Sequence, residues 1–234
     1  MKELTRSEGR SIDSECDICR ELQNPKEGWF FREVGSRLGV TSRVLFRSDH
    51  WCAIPTAGCL TVGYLLLVCT EHEKSIANLQ DSLFLELLEF KSRVEAELLA
   101  RTGKRCICFE HGTTTDTVSG ANSIEHVHLH LVPFDAPVWN RLAPSFSKEF
   151  VLLRDYMDFR AELKKRFPLA YLLFQDTDGS LYYIPDAVGL PSQLFRRLLA
   201  PLLGAEKWNW REEPYARNML RTIRLFNQNI GENK

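Results

Sequence analysis

Ser123-Ile124-Glu125-His126-Val127-His128-Leu129-His130-Leu131-Val132-Pro133 is the stretch on which the reading of this chain turns. In an extended strand successive side chains point to opposite faces, so His126, His128 and His130 share one face and Val127, Leu129 and Leu131 the other. The apolar face calls for burial, and the opposite face becomes a row of three imidazoles. With about 3.3 Å of rise per residue, neighbours in that row lie roughly 6.6 Å apart, far enough for each to hold a separate role. A neutral imidazole nitrogen attacks phosphorus without needing a base, and water can open the resulting phosphoramidate. A metal cluster on the strand, or a plain polar face, are the alternative readings.

These residues carry a family resemblance. His126-Val127-His128-Leu129-His130-Leu131-Val132, preceded by the small, polar run Gly120-Ala121-Asn122-Ser123, resembles the signature of the histidine-triad (HIT) superfamily. The resemblance implies an α+β core with a mainly antiparallel sheet and packed helices. It also implies attack of His128 on the α-phosphorus of a nucleotide, with His130 on the phosphate oxygens and Asn122 and Ser123 contacting the α-phosphate or the leaving group.

Cys16-Asp17-Ile18-Cys19 opens a short helical segment that Asn24-Pro25 stops. Zinc takes four nitrogen or sulfur ligands in a tetrahedron, and a C-x-x-C pair supplies half of them; a redox pair or free thiols remain open readings. In zinc-containing HIT relatives such as galactose-1-phosphate uridylyltransferase, a similar cysteine pair joins a histidine just beyond an apolar strand and the first histidine of the triad. Carried onto this chain, the resemblance implies a structural Zn2+ on Cys16, Cys19, His72 and His126. The other five cysteines, Cys52, Cys59, Cys69, Cys106 and Cys108, lie in apolar segments and read as buried free thiols.

Composition narrows the function classes. The chain has 234 residues, 44% of them hydrophobic, enough for a substantial core. A formal net charge of -1 gives no global attraction to long nucleic acid, and the small nucleotide that the resemblance implies as partner needs only a few donors. No apolar run approaches the roughly 20 residues of a membrane helix. The first residues lack the apolar core of a signal peptide, and the expectation is a soluble, cytoplasmic protein, with a homodimer as an open reading.

Working outward, residues 44–46 and 51–54 read as a hairpin turning at Ser48-Asp49-His50, with His50 a turn residue. Residues 62–68, apolar on both faces, read as a central strand. Tyr64 stands where relatives carry a histidine, which puts a supporting hydrogen bond from that position in question. Leu79, Leu83, Leu87, Phe90, Val94 and Leu98 mark an amphipathic helix over 78–101 closed by Gly103. Residues 105–109 form a strand that runs into Glu110-His111-Gly112, and residues 113–120 a polar loop fit to offer donors to phosphate, with an ordinary solvent loop as the alternative. Glu110 and His111 are expected to organise that loop rather than do chemistry. Ile18, Phe46 and Ile54 are candidate linings for a base.

Past Pro133 the resemblance is to the C-terminal regions of CwfJ-type proteins and of diadenosine tetraphosphate phosphorylases. Residues 150–167 read as a helix, 171–184 as a hairpin around Asp176-Thr177-Asp178-Gly179-Ser180, and 191–203 and 214–227 as two further helices. Arg217, Arg221 and Arg224 read as a solvated stripe on the last of these, with an anion or partner site as the alternative, and Trp208 and Trp210 as packing anchors rather than base-stacking rings. The expected organisation is a HIT-like core with its metal-binding segment over residues 1–137 and an α/β extension over 138–234. The expected activity is hydrolysis of a nucleotide at the α-phosphate through a nucleotidyl-histidine, releasing a nucleoside monophosphate. The alternatives are nucleotidyl transfer or phosphorolysis through the same intermediate, and a non-catalytic nucleotide-binding or assembly module of CwfJ type.

Overall fold

Leu65-Leu66-Leu67-Val68-Cys69 is buried at all five positions, so the strand it forms must be covered on both faces. The computed structural model, which describes residues 4–7, 10–115 and 126–227, supplies both covers. In chain order the elements are β1 (Leu4–Ser7), β2 (Arg10–Asp13), α1 (Asp17–Gln23), α2 (Trp29–Glu33), β3 (Phe46–Arg47), β4 (Trp51–Pro55), β5 (Leu65–Cys69), α3 (Asp81–Thr102) and β6 (Arg105–Thr113). They continue with β7 (His128–Phe134), α4 (Trp139–Leu142), β8 (Val151–Leu153), α5 (Tyr156–Lys165), β9 (Ala170–Gln175), β10 (Leu181–Ile184), α6 (Leu194–Leu202) and α7 (Ala216–Phe226). The first two strands pair with each other, and the rest form one antiparallel eight-stranded sheet in the order β3-β4-β5-β7-β6-β9-β10-β8. The α+β class and the mainly antiparallel sheet expected from the sequence are those observed.

Strand alternation divides the core in two. Leu65, Leu67, Leu129, Leu131, Cys106 and Cys108 pack with Leu87, Phe90, Val94 and Leu98 of α3 and with Phe159 and Leu163 of α5. Leu66, Val68, Ile107, Phe109 and Val132 face the other way, against Phe195 and Leu199 of α6 and Met219 and Ile223 of α7. The sheet also crosses from the N-terminal to the C-terminal half without a break, because β6 pairs with β7 on one side and β9 on the other.

Element boundaries depart from the sequence reading where a local signal outweighs periodicity. Residues 150–155 are not helical: Val151–Leu153 pair with β10, and α5 begins only after Asp155, whose carboxylate accepts from the Met157 and Asp158 amides. Leu152 and Phe167, both inside the segment that reads as a helix, lie outside α5 and are exposed. The strand expected at residue 62 starts at Leu65, because Gly63 turns the chain with φ of +88°. At the other end of α3, Gly103 closes the helix in the left-handed conformation, with its amide on Leu99 O, as expected. The Ser48-Asp49-His50 turn is pinned to α3 by Glu86, which accepts from Ser48 Oγ, the His50 amide and His50 Nδ1.

The N-terminal segment is fastened to the sheet by a buried ion pair. Arg43 donates from Nε and Nη2 to the two oxygens of Glu21 on α1, at 2.7 and 2.9 Å, and from Nη1 to Pro55 O at the end of β4. Both side chains are almost fully shielded, so removing one leaves the other charged and unpaired. Arg43→Met is expected to lower unfolding stability by about 3–5 kcal/mol. Chemical denaturation checks this, and a loss below about 1 kcal/mol, the range of an exposed pair, would show that the pair is not a fastening.

Candidate active site and metal cluster

Strand register brings the cluster residues together. β5 and β7 are antiparallel neighbours with Val68 opposite His128, so the chain leaving β5 toward His72 lies beside the chain entering β7 at His126. The Val127 amide donates to Glu73 O at 2.6 Å and holds the two segments together. Cys16 caps α1 and Cys19 lies in its first turn, next to this junction. The four ligand atoms of Cys16, Cys19, His72 and His126 lie within 4.8 Å of one another.

Their spacing fits a four-coordinate ion. Cys16 Sγ is 3.5 Å and Cys19 Sγ 3.6 Å from His126 Nδ1, and Cys19 Sγ is 3.4 Å from His72 Nδ1. With metal–sulfur bonds of about 2.3 Å and metal–nitrogen bonds of about 2.0 Å, a tetrahedral sulfur–nitrogen edge is about 3.5 Å. Both histidines turn Nδ1 inward and have a partner for Nε2. His126 Nε2 donates to Cys69 O at 2.8 Å, and His72 Nε2 faces Asp13 Oδ2 at 3.6 Å, the outer support that ligating histidines require. Cys19, then His126 and His72, lower the Cys16 thiol far below its ordinary value and favour the thiolate.

The remaining triad members differ from the regular row expected. β7 begins only at His128, so His126 stands just outside the strand. His128 and His130 lean together until their ring centroids are 4.9 Å apart, closer than strand spacing alone predicts. His128 is half-buried and donates from Nδ1 to the backbone oxygen of His126 at 2.7 Å. His130 is buried, stacks on Phe109 at 4.3 Å, and has Nδ1 2.7 Å from Tyr64 Oη. Desolvation lowers both imidazoles, His128 to about 4, so both are neutral at pH 7. Asn122 and Ser123 lie outside the described residues.

Three site residues were not predicted. Tyr64 supplies the supporting hydrogen bond its identity had put in question, directed at His130. His111 lies two residues beyond Phe109, which pairs with His130 in the β6–β7 register. It therefore shares the His128 face, and both its ring nitrogens are buried without a partner among the described residues. Arg196, in a run that reads as an ordinary helix, is buried with its guanidinium 5.6 Å from the Tyr64 ring. The only sequence signal for His111 is its alternation with Phe109; Arg196 has none. Of the candidate base linings, Ile18 and Ile54 are buried on the histidine face, whereas Phe46 packs edge-on against Phe226 of α7. Trp210 packs edge-on against Trp29, and Arg217, Arg221 and Arg224 are exposed.

Glu110 alternates onto the opposite face of β6. It accepts hydrogen bonds from Tyr171 Oη and, at 2.8 Å, from the Ile76 amide, joining the turn beyond His72 to the sheet.

Comparison with known proteins places a likeness on part of the chain. Residues 44–147 match the family described as protein similar to CwfJ C-terminal. This CwfJ-like segment contains His72, Tyr64, His111 and all three triad histidines, and leaves out Cys16, Cys19 and Arg196. No curated protein matches the chain in sequence. Among solved structures, a hypothetical histidine triad nucleotide-binding protein from Sulfolobus tokodaii is similar at 14% identity over 51% of this chain and 69% of that one, with a TM-score of 0.39. A HIT-family member from Bacillus subtilis is similar at 15% identity over 66% and 98%, with a TM-score of 0.41. Yeast Ap4A phosphorylase in complex with AMP is similar at 13% identity over 62% and 59%, with a TM-score of 0.42. Among the described residues no helix is long and apolar enough to cross a membrane.

Two outcomes are expected. Protein purified without chelator should carry about one divalent ion per chain by elemental analysis. Cys16→Ser and Cys19→Ser should lose it, with a melting temperature lower by about 10 °C; a metal-free wild type of equal stability would refute the cluster. Burial raises the Glu110 carboxyl from 4.5 to about 8. The folded state therefore keeps a proton that the unfolded chain has released, and stability from this group is full below about pH 4.5 and declines as pH rises through about 8. Between pH 5 and 8, Glu110→Gln should gain on wild type by on the order of a few kcal/mol in denaturation experiments; a pH-independent difference would contradict this.

Proposed function

We propose that the chain is a HIT-type nucleotide hydrolase that cleaves at the α-phosphate through a nucleotidyl-His128 intermediate. The observation that carries this reading is the hydrogen bond from His128 Nδ1 to His126 O at 2.7 Å. With its proton committed to that carbonyl, Nδ1 leaves Nε2 as the unprotonated nitrogen, whose lone pair is free to attack. As the Nε2–phosphorus bond forms, the bond to the leaving group breaks and takes its electron pair. The imidazolium charge this creates is held by the Nδ1–H bond to the carbonyl. Water then forms a new oxygen–phosphorus bond, the nitrogen–phosphorus bond returns its pair to the ring, and nucleoside monophosphate leaves with a proton lost to solvent.

The neighbouring residues have supporting parts. If Tyr64 Oη donates to His130 Nδ1, His130 carries its proton on Nε2 and can donate it to a phosphate oxygen. Asn122 and Ser123 are assigned to the α-phosphate and the leaving group, following the resemblance of the triad. The metal assigned to Cys16, Cys19, His72 and His126 is Zn2+, on the chemistry of two thiolates and two imidazoles. It has a structural part, since four protein ligands leave no position for substrate. His126 belongs to both groups, through its ring to the cluster and through its carbonyl to His128.

The match of residues 44–147 to the CwfJ-like family favours a second reading, a module that binds nucleotide without turning it over. The test is turnover of nucleoside phosphoramidates, adenylyl sulfate, dinucleoside polyphosphates and nucleotide-sugars by wild type and His128→Ala, with and without phosphate. Release of nucleoside monophosphate in water, reduced more than about a thousandfold in the variant, is expected. Product only with phosphate or a sugar phosphate would make the chain a transferase, binding without product would favour the module, and full activity in His128→Ala would sink the assignment.

A further inference from the structure

Arg196, from the C-terminal part of the chain, is a buried cation that no group among the described residues neutralises. Its side chain is 4% exposed. Nε donates to Trp208 O at 3.1 Å and Nη2 to Gly58 O at 2.6 Å, both uncharged carbonyls. Nη1 has no hydrogen-bond partner and no carboxylate pairs with the guanidinium among the described residues. An unpaired buried charge is costly, and a buried N–H without an acceptor adds to that cost.

The position is a built one. Gly58 holds φ of +65°, and a Cβ there would come within 2.3 Å of Arg196 Nη2, so only glycine allows this approach. The Gly58 and Cys59 amides both donate to Pro214 O, which fixes this loop to the chain leading into α7. The preceding residue on α6, Phe195, packs at 4.8 Å against Phe109, the ring that stacks on His130. The guanidinium lies over Tyr64, whose hydroxyl meets His130. The positive charge also disfavours protonation of His130, which places it within electrostatic reach of the site. His111, whose two buried ring nitrogens have no partner among the described residues, flanks the same pair of histidines. The two orphaned groups lack the same thing, an acceptor, and for Arg196 an anionic one.

We propose that Arg196 is an anion-binding residue of the histidine site, donated by the C-terminal part of the chain, and that its missing partner is a phosphate group held between it and the His128–His130 pair. This rests on the nucleotide reading above and extends it. The phosphate supplies the negative charge and the acceptor that Nη1 lacks, and the C-terminal part of the chain becomes part of the ligand site.

Isothermal titration of the full-length, metal-loaded chain with AMP, adenosine and inorganic phosphate separates the cases, using wild type, Arg196→Gln and Arg196→Lys. The Gln variant keeps a donor for the structural carbonyls and removes the charge, and the Lys variant keeps the charge without the fork. AMP affinity should fall about tenfold to a hundredfold in Arg196→Gln, in the range of a charge-assisted hydrogen bond, and less in Arg196→Lys, with adenosine affinity changed less than about twofold. Equal weakening of AMP and adenosine in the folded variants, or unchanged AMP affinity, would overturn the proposal. Should Arg196→Gln fail to fold, Arg196→Lys decides, since unchanged AMP binding by it contradicts a forked contact. Phosphate binding that depends on Arg196, with no binding of AMP, would retain the anion site and remove the nucleotide reading; no binding of either by wild type would remove both.

Discussion

The backbone oxygen of His126 accepts the Nδ1 proton of His128, and the arrangement of the site depends on that contact. It sets which nitrogen of His128 is free, and its own position is set by the side chain of the same residue. The His126 ring is held by Cys16 and Cys19 on its Nδ1 side and by Cys69 O on its Nε2 side. A residue just outside the strand is thereby fixed as firmly as one within it. The Glu21–Arg43 pair extends the same logic outward, since it anchors α1, and with it both cysteines, to the end of β4.

The second face of the sheet gives the site its depth. A strand with imidazoles on one side could have left them open to water. Here α6 and α7 cover that face, and Phe195 packs on Phe109, the ring that stacks on His130. The continuity of β7, β6 and β9 in one sheet means that the residues around the triad and those of the C-terminal half share a core. Desolvation then strengthens each hydrogen bond that remains and exposes the cost of those unmade, which is why the orphaned nitrogens of His111 and Arg196 stand out.

Glu110 and His111 illustrate how adjacent residues divide between structure and site. Pleating sends Glu110 toward Tyr171 and the turn at Ile76, and His111 toward His128. The sequence reading grouped both as loop organisers. The bonds of Glu110 are to the framework, at Tyr171 and the Ile76 amide, and His111 lies on the face of His128.

By itself the sequence determined the features that repeat or cap locally. Alternation placed Leu129 and Leu131 opposite His128 and His130, the three- and four-residue spacing of α3 identified its buried face, and Gly103 marked its end. The triad and the C-x-x-C pair named the residues of the cluster through their resemblance to a family. Tertiary structure alone decided that Val151–Leu153 would be a strand, because β10 offered its edge and Asp155 capped the helix behind it. It also decided that Tyr64 reaches His130 and that Arg196 enters the same space from 66 positions further along the chain than His130. Periodicity records which face of an element is buried; which side chains meet across that buried space depends on strand order and helix placement, and these are set by the packing of the whole sheet.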